Sequence, residues 1–242
     1  MTTSIIIPAR FGSSRYRGKP LVKILGREMI LRVADICKKI KNVRVFIATD
    51  SKKIANVAEK NGYDYIMTSK NCLTGTDRVA EASKKIKSEI FINVQGDEPT
   101  ISPRDIQKIM NAKKKFPNHV ICGYTEITKG ESPKNINLPK VVVNENSDLV
   151  YISRLPIPGS KNRKDTLKYN KQVCIYGFNK KQLFKFKKFG KKRSRLESRE
   201  DIEILRFFEL NIPIKMIRLS SSSIAVDIKS DIKKLEKYLK KR

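Results

Sequence analysis

Short runs of β-branched and other apolar residues alternate with helical patterns along the first half of the chain. The apolar runs predict strands at Ser4–Ile7, Val43–Ala48 and Ile90–Val94. From Ser51 onward, apolar residues recur at the spacing of one helix face until Gly62 offers a stop. Such alternation is typical of βαβ units, so we expect an α/β fold built on a mainly parallel sheet with helices on both faces.

The helix after the third strand has the clearest predicted boundaries. Ser102 is a residue type that caps helices, Pro103 suits the first helical position, and Asp105 stands where the acid of a capping box would lie. The helix is expected to end near Phe116. Its buried face should consist of Ile106, Ile109 and Met110.

The second half of the chain has strands separated by polar loops instead of crossover helices. These strands are predicted at Lys140–Val143, Leu149–Ser153 and Gln172–Phe178. We therefore expect a single domain, residues 1–242, with a smaller antiparallel lobe inserted at about residues 138–195. The elements predicted after it are a helix at Arg199–Leu210, a strand at Ile214–Ile217 and an amphipathic helix at Asp231–Leu239.

The charge balance raises the question of an anionic partner. Lys and Arg total 53 residues against 24 Asp and Glu, a formal net charge of +29, and the densest basic block runs from Lys180 to Arg195. Two interpretations stay open, a solvated lysine-rich surface or a surface that binds an anionic partner such as nucleic acid. Because lysines are scattered through nearly every segment, we favour the solvated surface and expect neither nucleic acid nor a membrane as a partner.

The remaining composition is typical of a globular protein of the cytoplasm. The chain is 39% hydrophobic, and no uninterrupted apolar stretch approaches the about 20 residues that span a bilayer. The Met1–Pro8 run lacks the basic start and the small-residue cleavage site of a signal peptide. The four cysteines form no CxxC pair, so reduced and partly buried thiols are expected at Cys37, Cys72, Cys122 and Cys174.

A glycine-rich basic loop follows the first strand directly. The segment PARFGSSRYRGKPL, from Pro8 to Leu21, carries three arginines and a lysine at the carboxyl end of a predicted strand. Glycines let backbone amides approach an anion, and the cations suit a triphosphate. The loop is not a P-loop, because it misses the Walker spacing by one residue and has Pro20 where the magnesium-binding hydroxyl would be. A plain basic surface loop is the alternative.

A second polar cluster, QGDEP at residues 95–99, follows the third strand. It should lie at the same edge of the sheet as the basic loop, where ligands bind in open α/β folds. Asp97 would then face the phosphates and hold Mg²⁺, which prefers one or two carboxylates together with phosphate and water. An ordinary turn is the alternative interpretation of this short segment.

Four motifs resemble, in order and spacing, the 3-deoxy-manno-octulosonate (Kdo) cytidylyltransferase family, also called CMP-Kdo synthetases. They are PARFGSSRYRGKPL at 8–21, ATD at 48–50, TGTDR at 74–78 and NVQGDEP at 93–99. The resemblance continues through KVV at 140–142, YISR at 151–154, IP at 157–158, IYGF at 175–178, LE at 196–197 with Glu200 and Glu203, and VD at 226–227. The ordered series covers almost the whole chain and is specific for a sugar-activating cytidylyltransferase.

The resemblance implies a three-layer αβα nucleotide-diphospho-sugar transferase-like fold, commonly as a homodimer. The reaction would convert CTP and a 2-keto-3-deoxy sugar acid into the CMP-sugar and pyrophosphate. The anomeric hydroxyl would attack the α-phosphorus in line, while Mg²⁺ and the basic loop neutralise the leaving group. Kdo is the expected acceptor, with 8-amino-Kdo or a nonulosonate as the alternative. Lipopolysaccharide biosynthesis is the expected destination of the product, with capsule or another glycan left open.

The same resemblance implies roles for individual residues. The catalytic residues would be Arg10, Lys19 and Asp97. The nucleotide would be bound by Pro8, Ala9, Arg10, Arg15, Lys19, Thr74, Gly75, Arg78 and Gln95. The sugar would be bound by Arg154, which would pair with its carboxylate, and by Gln172, Tyr176 and Glu203. Mg²⁺ would be held by Asp97 and Asp227.

Two departures from the family pattern fall on the sugar side. Gln172 stands where the family usually has a histidine, and Ile204 stands where a glutamine is expected after Glu203. Both positions are expected near the acceptor, which is why another acid sugar is the alternative to Kdo. The single histidine, His119, lies outside every matched motif and is expected to be an ordinary loop residue. Non-catalytic nucleic-acid binding by the basic block, Lys180 to Arg195, is the remote alternative.

Overall fold

The computed structural model describes residues 1–12, 16–128, 130–162, 167–190, 192–220, 224–226 and 228–241. Its strands are β1 (Thr3–Ala9), β2 (Lys23–Ile24), β3 (Arg27–Glu28), β4 (Arg44–Thr49), β5 (Asp64–Met67), β6 (Ile90–Val94), β7 (Val120–Glu126), β8 (Lys140–Val143), β9 (Leu149–Ser153), β10 (Asn170–Asn179) and β11 (Ile214–Arg218). Its α-helices are α1 (Met29–Lys38), α2 (Lys52–Lys60), α3 (Gly75–Ala82), α4 (Pro103–Lys115), α5 (Lys180–Lys188), α6 (Arg195–Glu200), α7 (Leu205–Glu209) and α8 (Lys229–Leu239).

The central sheet has the strand order β11-β7-β10-β6-β1-β4-β5. Strand β1 pairs in parallel with β4 and β6, β4 in parallel with β5, and β7 in parallel with β11. Strand β10 runs antiparallel to both of its neighbours, β6 and β7. The prediction of a mainly parallel α/β sheet is therefore confirmed.

Side chains of successive residues on β1 enter two separate cores. Ile5 and Ile7 pack with residues of α1, α2 and α4 on one face, whereas Ile6 packs with residues of α3, α5 and α7 on the other. All three isoleucines are fully buried. A strand buried on both faces explains why its sequence is a continuous apolar run, and the two cores give the three-layer arrangement that was predicted.

The antiparallel strands of the second half extend the central sheet. Strand β8 pairs antiparallel with both β9 and β10, and β10 carries an irregularity between Val173 and Tyr176. A separate small sheet is formed by β2 and β3, on which α8 packs. The division into one domain with an inserted lobe at residues 138–195 remains a prediction.

Two details of the predicted helices are wrong. The expected helix at Arg199–Leu210 is instead divided into α6 and α7, because Asp201 adopts a left-handed backbone conformation with φ of 51° and ends α6. Ser102 occupies the N-cap of α4, but its side chain makes no capping hydrogen bond. The Asp105 carboxylate accepts hydrogen bonds from the backbone and the hydroxyl of Ser220, at 3.1 and 2.8 Å.

The state of the cysteines and the lengths of the apolar helices agree with the predictions made from the composition. All four cysteines are free, three of them buried and Cys174 partly so. None of the helices in the described part of the chain combines the length and the apolar sequence that crossing a bilayer requires.

Candidate active site

A cleft of about 360 Å³ is bounded by the ends of β1 and β6, the N-terminus of α3 and the segment before α7. Arg15 and Asp227 lie outside the described residues. Every other predicted site residue lines this cleft: Pro8, Ala9, Arg10, Lys19, Thr74, Gly75, Arg78, Gln95, Asp97, Arg154, Gln172, Tyr176 and Glu203. The topology thus brings together segments as far apart in sequence as those of Pro8 and Glu203, while the role of each residue remains a prediction.

An ion pair joins the basic loop to the segment after β6. Lys19 Nζ donates to Asp97 Oδ2 at 2.7 Å and to the Val226 carbonyl at 2.8 Å. The Val226 amide in turn donates to the backbone carbonyl of Asp97 at 3.0 Å. Arg10 is exposed at the end of β1 and has no hydrogen bond or ion pair within the part of the chain that the structure describes. Of these two cations of the basic loop, Lys19 is therefore anchored, whereas Arg10 has no anchor among the described residues.

Gly96 allows the ends of β1 and β6 to approach each other. A Cβ atom at this position would lie 2.9 Å from the Pro8 carbonyl oxygen and 3.0 Å from a methyl group of Ile30. The carbonyl belongs to the backbone and cannot move aside cheaply. A glycine is therefore required between Gln95 and Asp97, and it sets how closely Asp97 approaches the basic loop.

The N-terminus of α3 faces Glu203. Thr74 caps this helix through a reciprocal capping box with Asp77, and the Thr76 amide donates to Glu203 Oε2 at 3.0 Å. Gln95 Nε2 donates to the other carboxylate oxygen, Oε1, at 3.0 Å. Burial raises the pKa of Glu203 above its usual range, against the opposing hydrogen bonds from Thr76 and Thr74. Glu203 thus fixes the Gln95 amide relative to α3.

Asp50, which carried no assigned role, links the basic loop to α3. Its carboxylate accepts from the Phe11 amide at 3.2 Å and from Arg78 NH2 at 3.0 Å. Arg78 also donates to Thr68 and Ser69, and its side chain is only 3% exposed. Asp50 belongs to the ATD motif, which was the one sequence signal for it. The buried guanidinium of Arg78 therefore links Asp50, Thr68 and Ser69 beside the cleft.

Of the two departures on the sugar side, only Gln172 faces the cleft. Its Nε2 atom donates to the Tyr176 hydroxyl at 3.1 Å, and burial raises the pKa of Tyr176 well above its usual value. Ile204 is 2% exposed, packs in the core with Leu205 and Phe207, and does not line the cleft. The structure therefore does not bring the Ile204 side chain to the cleft, because the backbone turns it into the core next to Glu203.

Arg154 is held by backbone carbonyls at the same end of the cleft. Its Nε, NH1 and NH2 atoms donate to the carbonyls of Glu200, Ile136 and Asp201. Three of its five N–H groups are used in this way, and the side chain is 28% exposed. Two cleft residues beside it, Arg193 and Asp201, were not among the predicted site residues. Arg193 belongs to the basic block, whose composition gave no sign of this position.

A buried triad of charges supports the cleft from behind. Arg206 is fully buried and donates to Asp77 Oδ1 at 2.8 Å and to both carboxylate oxygens of Glu197 at 2.7 Å. Its guanidinium carbon lies 3.8 Å from the ring centroid of Phe186. Asp77 belongs to the capping box of α3, and Glu197 belongs to α6. The triad therefore connects the helix that carries Thr74 and Gly75 to the segment that carries Glu203.

The carboxylate of Asp97 suits a magnesium ion. Its side chain is 34% exposed at the cleft, and only one of its oxygens is paired with Lys19. The described residues contain no cluster of three or more metal-ligating side chains. Mg²⁺ takes one or two carboxylates and completes its shell with phosphate oxygens and water, so the donor set fits this ion bound together with a nucleotide.

His119 lies outside this chemistry, as expected. Its ring packs edge-on against Phe116, and its Nε2 atom is 3.9 Å from the carboxylate of Asp148. It does not line the cleft.

Comparisons with known proteins identify cytidylyltransferases as similar to this chain. The family model described as cytidylyltransferase matches residues 4–217. A relative from Thermodesulfovibrio yellowstonii, 3-deoxy-manno-octulosonate cytidylyltransferase, is 36% identical over 99% of this chain and 98% of its own length. A relative from Shewanella oneidensis, 8-amino-3,8-dideoxy-manno-octulosonate cytidylyltransferase, is 33% identical over 99% of both chains.

The fold has a near match among solved structures. A structure of CMP:2-keto-3-deoxy-manno-octonic acid synthetase complexed with CTP is 32% identical to this chain. It superimposes with a TM-score of 0.92, covering 100% of this chain and 99% of the other.

Proposed function

The chain belongs to the 3-deoxy-manno-octulosonate cytidylyltransferase family of cytidylyltransferases, and from this premise we propose that it transfers CMP from CTP to Kdo. The observation that carries the proposal is the single cleft in which Lys19, Asp97, Gln95 and Glu203 meet Arg154. Cations and a carboxylate suited to a triphosphate lie at one end, and an arginine suited to a sugar acid lies at the other. The relative solved with CTP supports the nucleotide.

The chemistry follows from charge. The anomeric hydroxyl of the acceptor gives its proton to solvent as its oxygen forms a bond to the α-phosphorus, the bond from that phosphorus to the bridging oxygen of the β-phosphate breaks, and pyrophosphate leaves. Lys19 and Arg10 neutralise the charge that develops on the leaving group, and the fixed Lys19 needs little reorganisation to do so. Asp97 would hold Mg²⁺, which supplies further neutralisation of the phosphates when bound.

The base is recognised beside α3. Gln95 uses an N–H group on Glu203, so its carbonyl oxygen is left to accept a hydrogen bond, such as one from the amino group of cytosine. A uracil base presents a carbonyl at that position and would face this oxygen without a donor. The arrangement of Gln95 and Glu203 thus favours CTP over UTP.

Replacing Gly75 with alanine should weaken CTP binding while leaving the fold intact. A Cβ atom at Gly75 would lie 2.9 Å from Gln95 Nε2, so the flexible amide must move away from Glu203. We expect the KM for CTP to rise by about tenfold, which corresponds to the binding free energy lost with one hydrogen bond, about 1.4 kcal/mol. The free energy of unfolding should change by no more than about 1 kcal/mol, since alanine is the better helix former.

Steady-state kinetics of Gly75→Ala in the wild-type and the Gln95→Ala backgrounds tests whether displacement of the Gln95 amide causes the change in KM. In a Gln95→Ala background, Gly75→Ala should have no further effect on the KM for CTP, because the displaced amide is already absent. Equal effects of Gly75→Ala in both backgrounds would show that the change acts elsewhere.

The test of the function is pyrophosphate release from CTP and Mg²⁺ with Kdo, 8-amino-Kdo and a nonulosonate under identical conditions. We expect kcat/KM to be largest with Kdo, and replacement of CTP by UTP to lower it. The 8-amino sugar is the second candidate, since the Shewanella oneidensis relative is named for it and Gln172 departs from the family pattern. Turnover with the amino sugar alone would reassign the acceptor. Absence of turnover with all three would overturn the proposal.

The assembly and the setting of the enzyme also belong to this proposal. A homodimer in the cytoplasm that supplies lipopolysaccharide biosynthesis is expected from the family. Sedimentation of the purified protein distinguishes a dimer from a monomer. Nucleic-acid binding, the remote alternative, would weaken steeply with salt and would need no CTP turnover.

A further inference from the structure

Two arginines contact one carboxylate at the acceptor end of the cleft. Arg193 NH1 donates to Asp201 Oδ1, and Arg154 NH2 lies 3.6 Å from Asp201 Oδ2. All three residues line the cleft, together with Gln172 and Glu203. A carboxylate held between two guanidinium groups therefore occupies the part of the cleft that also contains the predicted sugar-binding residues.

The three side chains differ in how firmly they are held. Arg154 donates to three backbone carbonyls, including that of Asp201, and these hydrogen bonds do not depend on the Asp201 side chain. Asp201 is 62% exposed and lies where the chain turns between α6 and α7. Its carboxylate can rotate into solvent and lose only its contacts with the two arginines. An acid ligand could then take its place.

Charge balance argues for a second cation beside Arg154. Most N–H groups of Arg154 are used on carbonyls, and the carboxylate of Glu203 lies in the same cleft. Of the other nearby acids, Glu197 is paired with Arg206 and is only 1% exposed. The carboxylate of Glu200 accepts from the Ser153 hydroxyl and the Arg154 amide, both at 2.8 Å, and adds to the negative charge beside Arg154. Arg193, 36% exposed and bonded only to Asp201 among the described residues, is the cation that can turn to an incoming anion.

We propose that Arg193 joins Arg154, which the family resemblance already assigns to the carboxylate of the acceptor, in one subsite for that carboxylate, and that Asp201 competes with the acceptor for it. The subsite would take the carboxylate of a 2-keto acid. This inference rests on the proposed function, because it concerns the acid substrate of that reaction. It makes Arg193 a binding residue and Asp201 a residue that sets the affinity for the acid without touching the reacting atoms.

Four proteins test the proposal: the wild type, Arg193→Met, Asp201→Asn and the double variant. In pyrophosphate-release assays at low salt, Arg193→Met should raise the KM for Kdo by about tenfold, the effect of losing a charge-assisted contact. Asp201→Asn should lower the KM for Kdo by about threefold, which corresponds to the free energy of an exposed ion pair. The KM for CTP should change by less than twofold in every variant.

The double variant separates the proposal from an ordinary surface ion pair. If Arg193 binds the acceptor, the double variant keeps a raised KM for Kdo. If Arg193 only neutralises Asp201, the double variant returns to the wild-type KM, and the proposal is overturned. Arg193→Lys should recover part of the affinity. The exposed pair Arg44 and Asp64, at the far edge of the sheet, supplies matched controls, and Arg44→Met and Asp64→Asn should leave both KM values unchanged.

Calorimetric titration of Kdo into each variant, with a non-hydrolysable CTP analogue present, reads the subsite without turnover. If the Kd values for Kdo rank the variants as the expected KM values do, but the wild type shows no turnover, the proposed function would be overturned and the subsite supported. Equal Kd values for Kdo in the wild type and Arg193→Met would overturn the subsite, whatever the turnover. Failure of the wild type to bind Kdo would overturn both.

Discussion

Asp97→Asn is expected to lower kcat by between about 10² and 10³, the loss seen when one electrostatic group is removed from a transition state. The substitution keeps the size of the side chain and its ability to accept a hydrogen bond from Lys19, but it removes the charge that would hold Mg²⁺. The Mg²⁺ concentration that gives half-maximal activity should rise in parallel. Pyrophosphate release over a magnesium titration measures both quantities.

The control for this prediction is stability. Asp97 is partly exposed, and the ion pair with Lys19 should contribute no more than about 1 kcal/mol to the free energy of unfolding. Asp64→Asn, the same substitution at an exposed ion pair remote from the cleft, should leave kcat unchanged. A kcat for Asp97→Asn within threefold of the wild type would remove Asp97 from the catalytic machinery.

The cleft could be anticipated from the sequence because it follows from local patterns. Apolar runs identified β1 and β6, and parallel neighbours must present their carboxyl ends on one edge, so Lys19 and Asp97 could be expected to meet. Periodicity left out β2, β3, β5, β7, α1, α3 and α5. It also joined α6 and α7 into one helix, since a single left-handed residue such as Asp201 leaves the spacing of the apolar residues unchanged.

Buried charges could not be anticipated in this way. A scattered lysine is normally assigned to solvent, yet Lys113 is 1% exposed. Its Nζ atom donates to the carbonyls of Pro117 and His119 and to the Gln182 side chain. Burial lowers the pKa of Lys113 to about 7. Lys140, Lys171 and Lys215 are also buried, so the excess of basic residues partly serves the interior. Some of these partners, such as Gln182 for Lys113 and Glu131 for Lys171, are distant in sequence, and those contacts leave no local pattern.

Arg206 is the buried charge with the largest expected effect on stability. Arg206→Met should lower the free energy of unfolding by about 3–5 kcal/mol, because the carboxylates of Asp77 and Glu197 would remain buried without a counter-ion. Denaturant titration measures the loss. Arg218→Met removes an arginine from an exposed pair with Glu126 and should cost less than about 1 kcal/mol.

Removing the acids together with the arginine distinguishes a lost ion pair from lost packing. The triple variant Arg206→Met, Asp77→Asn, Glu197→Gln should recover part of the stability, because no uncompensated charge is then buried. If the triple variant is no more stable than Arg206→Met, the loss comes from the packing of the guanidinium on Phe186.

The same triad should affect catalysis through position alone. Asp77 forms the capping box of α3 with Thr74 and accepts hydrogen bonds from Arg206. Loss of Arg206 should therefore make the N-terminus of α3, which faces Gln95 and Glu203, less rigidly positioned. In the surviving folded fraction of Arg206→Met, the KM for CTP should therefore rise while kcat at saturating CTP stays near the wild-type value, since Lys19 and Asp97 belong to other segments. An equal fall in kcat would mean that the triad also supports the phosphate end of the cleft.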